Sequence, residues 1–358
     1  MVEWLAGNRI KGTSTERTAG TPEVPEVPAV SGGWKELGRS SNSSLPDVTS
    51  LADKKYLMFL NFQESNASRP VPSLRLNGDS GSTYTRRGAY GGGSDYTNTS
   101  KTLISFSNQP STNATVPYFT VGYIANKSDK EKLMIINNTY SETGVGASNE
   151  PQRVETVGKW TNTSEAVDQL SIVSSTGDSF NTNGELVVLG YDPDDTHTTN
   201  FWEQLASVEL SSSGDTLSSG TITAKKYLWV QSFTKGTGGA TRSSYTMNSD
   251  GGNNYGYRYS VDGATDAIGS GQANLYFNSN TTGNTLTNSF IINNSANEKL
   301  VISHTVKATS TGASTAPSRE ENVGKWSNTS AQITSIQMLN SGAGSFDTGS
   351  IIKVWGSD

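Results

Sequence analysis

The chain has 358 residues, of which 17% are charged and 32% hydrophobic, with no cysteine and a formal charge of -6. The absence of cysteine excludes disulfides, iron–sulfur clusters, thiolate zinc sites and cysteine nucleophiles, and the mild acidity gives no basis for nucleic-acid binding. No run approaches the ~18 apolar residues of a membrane-spanning helix. The length suits two domains of about 100–200 residues each. Ser and Thr make up about a quarter of the chain, and 7 Trp, 14 Tyr and 10 Phe are spread through it. Such a mix fits thin β-sandwiches with long polar loops.

The opening Met1 to Arg9 has no basic start and no apolar stretch of about 7–15 residues, so it is not read as a secretory signal. Trp4, Leu5 and Ile10 are apolar side chains on a segment that cannot bury them by itself. They are the expected assembly contacts: residues 1–19 are expected to lock onto neighbouring subunits by strand addition or an aromatic anchor. Pro22, Pro25 and Pro28 fall at every third position, which predicts an extended, semi-rigid tether. Residues 1–32 are therefore an N-terminal arm.

An internal repeat follows. Lys54-Lys55-Tyr56-Leu57 recurs as Lys225-Lys226-Tyr227-Leu228, and Asn77, Asp79, Gly81, Tyr84 and Arg87 recur as Asn248, Asp250, Gly252, Tyr255 and Arg258, all at an offset of 171. Glu131-Lys132-Leu133 matches Glu298-Lys299-Leu300 at 167, and Val157-Gly158-Lys159-Trp160 matches Val323-Gly324-Lys325-Trp326 at 166. The last register holds from Phe180 to Phe346, and Trp34 and Leu37 match Trp202 and Leu205. A period this long is a tandem domain duplication, with domains at 33–195 and 196–358 and Asp192 to Thr196 as the linker.

Within each copy the signals are strands. Tyr56 to Phe62, Leu133 to Ile136 and Leu186 to Leu189, with their counterparts in the second copy, are short β-rich runs between Gly/Asn/Asp/Ser turns. A short helix is expected only near Trp202 to Leu205. The prediction is all-β: two tandem jelly-roll-like sandwiches of about eight strands each, with Trp160, Trp326, Phe180 and Phe346 as core aromatics between sheets.

Catalytic chemistry is thin. His197 and His304 have no second histidine or carboxylate at metal-ligand spacing, and no nucleophile elbow, phosphate loop or dinucleotide fingerprint is present. Recurrence of Glu131/Glu298 and Asp79/Asp250 points to structure rather than to a paired-carboxylate site. No catalytic residue and no cofactor is assigned. Asp79 and Asp250, in Asn-x-Asp loops, and the linker cluster Asp192, Asp194 and Asp195 are weak Ca²⁺ candidates, because calcium takes about six to eight oxygens. An Asx turn closing a hairpin explains the loops better. The lysine pairs before the core strands suit edge protection. Tyr90, Tyr96, Tyr257 and Tyr259 are candidate sugar-stacking residues.

Gly158 to Ser164 and the closing Ser345-Phe346-Asp347-Thr348-Gly349-Ser350 with the strand to Gly356 resemble the ends of jelly-roll structural proteins of tailed phages and related viruses. Asn8 to Arg17 resembles their start. The first copy departs from the pattern, with Asn183-Gly184 in place of Gly-Ser. The resemblance implies a non-enzymatic virion protein (capsid, decoration, fibre or tail), assembled in the host cytoplasm. Its expected partners are copies of itself, other virion proteins and a host-surface glycan, with no nucleic acid or membrane. Trimers are expected, since three copies of two similar domains make a pseudo-sixfold block. Two alternatives stand beside this: a prokaryotic extracellular or cell-surface filament subunit or adhesin with strand exchange, and a tandem carbohydrate-binding module gaining avidity from two copies.

Overall fold

The computed structural model describes residues 33–358 except 109, 111–113, 198, 278–281 and 309–312, and only the backbone of residues 3–5, 9–11, 30–31 and 196–197. The side chains of Trp4, Leu5, Ile10 and His197 lie outside the described set. Glu3–Leu5 pairs antiparallel with Arg9–Lys11, and Val30–Ser31 with Thr196–His197.

Among the described residues every regular element is a strand. One eight-stranded sheet runs in the order Lys35–Ser41, Glu185–Tyr191, Tyr56–Glu64, Pro117–Ala125, Lys132–Ser141, Pro151–Trp160, Tyr84–Tyr90, Tyr96–Lys101. A second has the order Glu203–Glu209, Ile351–Ser357, Tyr227–Thr234, Thr285–Ile292, Lys299–Lys307, Ser318–Trp326, Tyr255–Val261, Ala267–Gln272. Position by position these strands are counterparts at the offsets found in the sequence. Each large sheet is backed by a four-stranded one. All pairings are antiparallel. Hairpin neighbours alternate with crossovers, as where Glu185–Tyr191 lies between Lys35–Ser41 and Tyr56–Glu64. The architecture is two jelly-roll-like sandwiches.

Period-two alternation sends one set of side chains inward from each strand. In the first sandwich Leu57, Phe59, Met134, Ile136, Leu186 and Val188 of the large sheet meet Leu74, Leu76, Leu170 and Ile172 of the small one. In the second, Leu228, Val230, Ile291, Val301 and Val354 meet Tyr245, Met247, Ile336 and Met338. The repeated glycine of Val-Gly-Lys-Trp lets the layers close. A Cβ on Gly158 would lie 2.6 Å from Ile104 Cδ1, and one on Gly324 2.0 Å from Leu275 Cδ1.

The other repeated residues form one knot, built twice. The Trp160 indole N–H donates to Asp79 Oδ2 at 2.7 Å, and the Gly81 amide and Thr83 hydroxyl donate to the same carboxylate. Tyr84 stacks on Trp160 with centroids 6.3 Å apart. The Lys132 ammonium donates to the carbonyls of Ser128, Lys130 and Asn162 and lies 5.5 Å from the Trp160 ring centre. In the second sandwich Trp326 donates to Asp250 at 2.7 Å, while Lys299 donates to the carbonyls of Ser295, Asn297 and Asn328. Burial pushes the Lys299 ammonium down to about 8. Asn77 and Asn248 sit at φ of 50° and 53°, a left-handed conformation that asparagine tolerates. Their side chains accept from the backbone of 168–169 and 334–335, tying the turn to the start of the neighbouring small-sheet strand.

Two expectations are corrected here. The segment at Trp202 to Leu205 is not a helix. Glu203–Glu209 is an edge strand paired with Ile351–Ser357, because Leu205, Ala206 and Val208 pack on the apolar core. The Asn-x-Asp loops do not close hairpins either. Pro72–Leu76 lies in the small sheet and Tyr84–Tyr90 in the large one, so each loop is an arch between layers that seats the Tyr84 or Tyr255 ring in the core.

Burial opposes ionisation of Asp79 and Asp250, but the indole, backbone and side-chain donors outweigh it and hold both carboxyls below the usual carboxylate value. A depressed carboxyl stabilises the fold above its unfolded pKa and loses that contribution as pH falls through the folded value. Urea midpoints should therefore drop on acidification below about pH 4, and Asp79→Asn with Asp250→Asn should flatten that slope. Asp79→Ala should cost about 1–3 kcal/mol by leaving the buried indole N–H unpaired. An unchanged urea midpoint would refute the role assigned to the knot.

Candidate functional site

Each large sheet is also apolar on the face turned away from its small sheet. Met58, Leu60, Phe62, Phe119, Val121, Val187 and Leu189 of the first sandwich pack against Tyr227, Phe290, Ile292, Leu300, Ile302 and Val323 of the second. Polar contacts frame this seam. The Tyr227 hydroxyl donates to Glu185 at 2.7 Å, and Lys226 lies 2.9 Å from the same carboxylate. Burial opposes the Glu185 charge, but Ser41, Tyr227 and Lys226 hold its pKa below the ordinary value. Arg153 meets Asp266 at 2.6 Å. Lys325 and Glu298, 3.2 Å apart and fully buried, bond Ser141 and the 144–146 loop of the first sandwich. Burial pushes the Lys325 ammonium down, against the pull of Glu298. His304, on the strand Lys299–Lys307, stands exposed at the margin of the seam.

The seam is offset. It uses one end of the first large sheet and the opposite end of the second, and leaves the remaining end of each uncovered. On the first sandwich the uncovered end is an open trough of about 850 Å³. Its floor is Leu133, Ile135 and Val157, exposed by 58%, 57% and 50%, with Tyr56 exposed by 47%. Trp34, Tyr191 and Tyr56 form its aromatic rim, with ring centres 5.7 Å and 6.1 Å apart. The counterparts of these floor residues are Leu300, Ile302, Val323 and Tyr227, none more than 3% exposed. The same side chains at the same sheet positions are covered in the second sandwich and bare in the first. The ion pair follows suit: Lys159 and Glu131, 3.1 Å apart, repeat Lys325 and Glu298 but are partly exposed.

The other residues singled out from sequence are dispersed. Trp160, Trp326, Phe180 and Phe346 are all buried. Asp79 and Asp250 spend their oxygens on the tryptophan knot. Asp192 and Asp194 bind Lys55 at 2.9 Å and 2.7 Å, and Asp195 binds Lys54 at 2.5 Å. These carboxylates face lysines, and the described residues hold no group of three or more His, Asp or Glu side chains that could share a metal ion. Tyr90 and Tyr96 sit together at 6.3 Å, and Tyr257 and Tyr259 at 6.0 Å beside Tyr276 and Arg242.

Sequence reasoning passed over the trough because Leu133 to Ile136 reads as a core strand. Its signal was the unbroken apolar run: a strand apolar on both faces needs two covers, and a sandwich supplies one.

No family model matches this chain, and no curated protein does. Among solved structures it is similar to mouse laminin alpha1 chain domains LG4-5, with 9% identity, 90% of this chain and 89% of that chain covered, and a TM-score of 0.18. The binding domain of botulinum neurotoxin DC in complex with SialylT gives 8% identity, 87% and 93% coverage and a TM-score of 0.17. Neisserial surface protein A gives 5% identity, 80% and 96% coverage and a TM-score of 0.12. Likeness this slight carries no argument about function.

The duplicated ion pair gives an internally controlled prediction. Lys325→Met leaves Glu298 buried and unpaired, and should cost about 3–5 kcal/mol. Lys159→Met, the same change at the exposed copy, should cost less than about 1 kcal/mol. Equal losses in chemical denaturation would mean that the seam does not form in solution.

Proposed function

We propose that this chain is a non-enzymatic structural protein that assembles with copies of itself, as a capsid, decoration, fibre or tail component of a virion. The observation that supports this is the bare apolar trough on the first sandwich. Monomeric soluble proteins rarely leave a contiguous apolar face of this kind exposed, and such faces mark interaction sites. Assembly then takes place in the host cytoplasm, with other virion proteins as further partners and the arm residues Trp4, Leu5 and Ile10 as a second attachment point. The virion placement is supported by the resemblance of the Gly158 to Ser164 and Ser345 to Gly356 segments.

One feature favours a second reading. The Trp34, Tyr56 and Tyr191 rim offers aromatic faces of the sort on which sugars stack, so a glycan-binding role at the host surface is the alternative. Screening on a glycan array, with Tyr56→Ala as control, separates the two.

Electron microscopy and sedimentation of the full-length chain beside a version lacking residues 1–32 test the assembly reading. Discrete oligomers or shells from the full-length chain are expected, with fewer or none without the arm. Long helical filaments would favour an extracellular fibre subunit. A monomer at every concentration would overturn self-assembly.

A further inference from the structure

We infer that the trough on the first sandwich is a socket for the second sandwich of another copy, so that chains join head to tail through a repeat of their own internal seam. This rests on the assembly reading and specifies its contact. Within one chain, a socket on the second sandwich (Tyr227, Leu300, Ile302, Val323) is filled by a plug on the first (Met58, Phe62, Phe119 and neighbours). The duplication supplies each surface twice. The unused socket is Tyr56, Leu133, Ile135 and Val157. The unused plug is the counterpart of Phe62 and Phe119 at the same offsets, Phe233 and Leu286; Trp229, the counterpart of Met58, is half-buried against the internal seam.

Exposure agrees with this pairing. Phe233 and Leu286 are both exposed, as is Val306 on the adjoining strand Lys299–Lys307. Eleven large hydrophobic side chains are exposed among the described residues, and seven fall on these two surfaces: Tyr56, Leu133, Ile135 and Val157 on the socket, and Phe233, Leu286 and Val306 on the plug. An apolar surface scattered at random would not concentrate on the two seam elements left bare among the described residues. The socket also carries the Lys159–Glu131 pair in place, as its filled counterpart carries Lys325–Glu298.

The second copy of the plug is more polar. Leu60, Val121 and Val187 have Gln231, Asn288 and Lys353 as counterparts. Glu185, which holds Tyr227 and Lys226 in the internal seam, has Ile351 as its counterpart, and Lys55 is already paired with Asp192 and Asp194. The contact between copies is therefore weaker than the one within a chain, which also gains from tethering. A socket and plug at different places on the same chain make a heterologous interface. It closes into a ring, or runs on as a filament, according to the angle between the sandwiches.

Complementation in sedimentation velocity tests this. One full-length variant carries Leu133→Glu and Ile135→Glu to block the socket, the other Phe233→Glu and Leu286→Glu to block the plug. All four side chains are exposed, so the fold should persist, and circular dichroism of each variant checks it. Each variant alone should be monomeric at concentrations where the wild type associates. Mixed in equal amounts they should form a one-to-one dimer and nothing larger, since each retains one working surface. If the wild type associates and both variants associate equally well, or their mixture fails to pair, the head-to-tail contact is wrong while self-assembly stands. A wild-type monomer at all concentrations would overturn both.

Discussion

A β-sheet has two faces, and these two large sheets carry apolar side chains on both. The small sheet of each sandwich covers one face only. The other must find cover elsewhere, and the placement of the seam, the trough and the exposed plug follows from that constraint. Burying an apolar side chain contributes about 1.5–3 kcal/mol relative to leaving it in water, so an uncovered strip of Leu133, Ile135 and Val157 is a standing drive toward contact. The chain satisfies half of that drive internally by laying the second sandwich on the first.

What holds each sandwich together differs in kind from what joins the two. Inside, the tryptophan knot links a turn, the central large-sheet strands and the loop after Trp160 through charge-assisted hydrogen bonds to Asp79 or Asp250, with a lysine capped by three carbonyls. Every group has its partner within one sandwich, so the knot could be duplicated whole. The seam instead depends on both copies at once. Two of its polar members, Glu185 and Ser141, belong to the first sandwich alone, since their counterparts are Ile351 and Ala308, while Arg153 recurs as Arg319. Between the two copies the knot is the same and the outer faces differ. One plug is apolar and buried, and the other is partly polar and lies in water. That is the pattern expected when one contact is permanent and its repeat is reversible.

The dual role of the repeated motifs bears on how such a chain should be read. Lys-Lys-Tyr-Leu, Glu-Lys-Leu and Val-Gly-Lys-Trp identify the duplication, and their alternate residues point to opposite faces. Leu57, Lys132, Gly158 and Trp160 build the interior. Tyr56, Leu133, Val157 and Lys159 build the outer face. A repeat kept only for packing would be free to turn its outward positions polar. Here Tyr56, Leu133 and Val157 remain apolar in both copies, including the one with no cover inside the chain.

The sequence by itself determined the all-β class, the repeat and its offsets, and the buried aromatics, because local alternation and turn residues carry that information along the chain. It also pointed to Asx geometry at Asp79 and Asp250, whose side-chain oxygens accept from the Gly81 and Gly252 amides. Whether Glu203–Glu209 is helix or strand was decided by tertiary contact with Ile351–Ser357, where core packing overrode a short helix-like pattern. The small-to-large-sheet arch at Asn77 and Asn248 was likewise invisible, because a turn's residues do not say whether its two strands share a sheet. Which apolar face is covered could come only from the tertiary structure. Leu133 and Leu300 stand in the same motif, and what separates them is a neighbour far away in sequence that lies on one and not on the other.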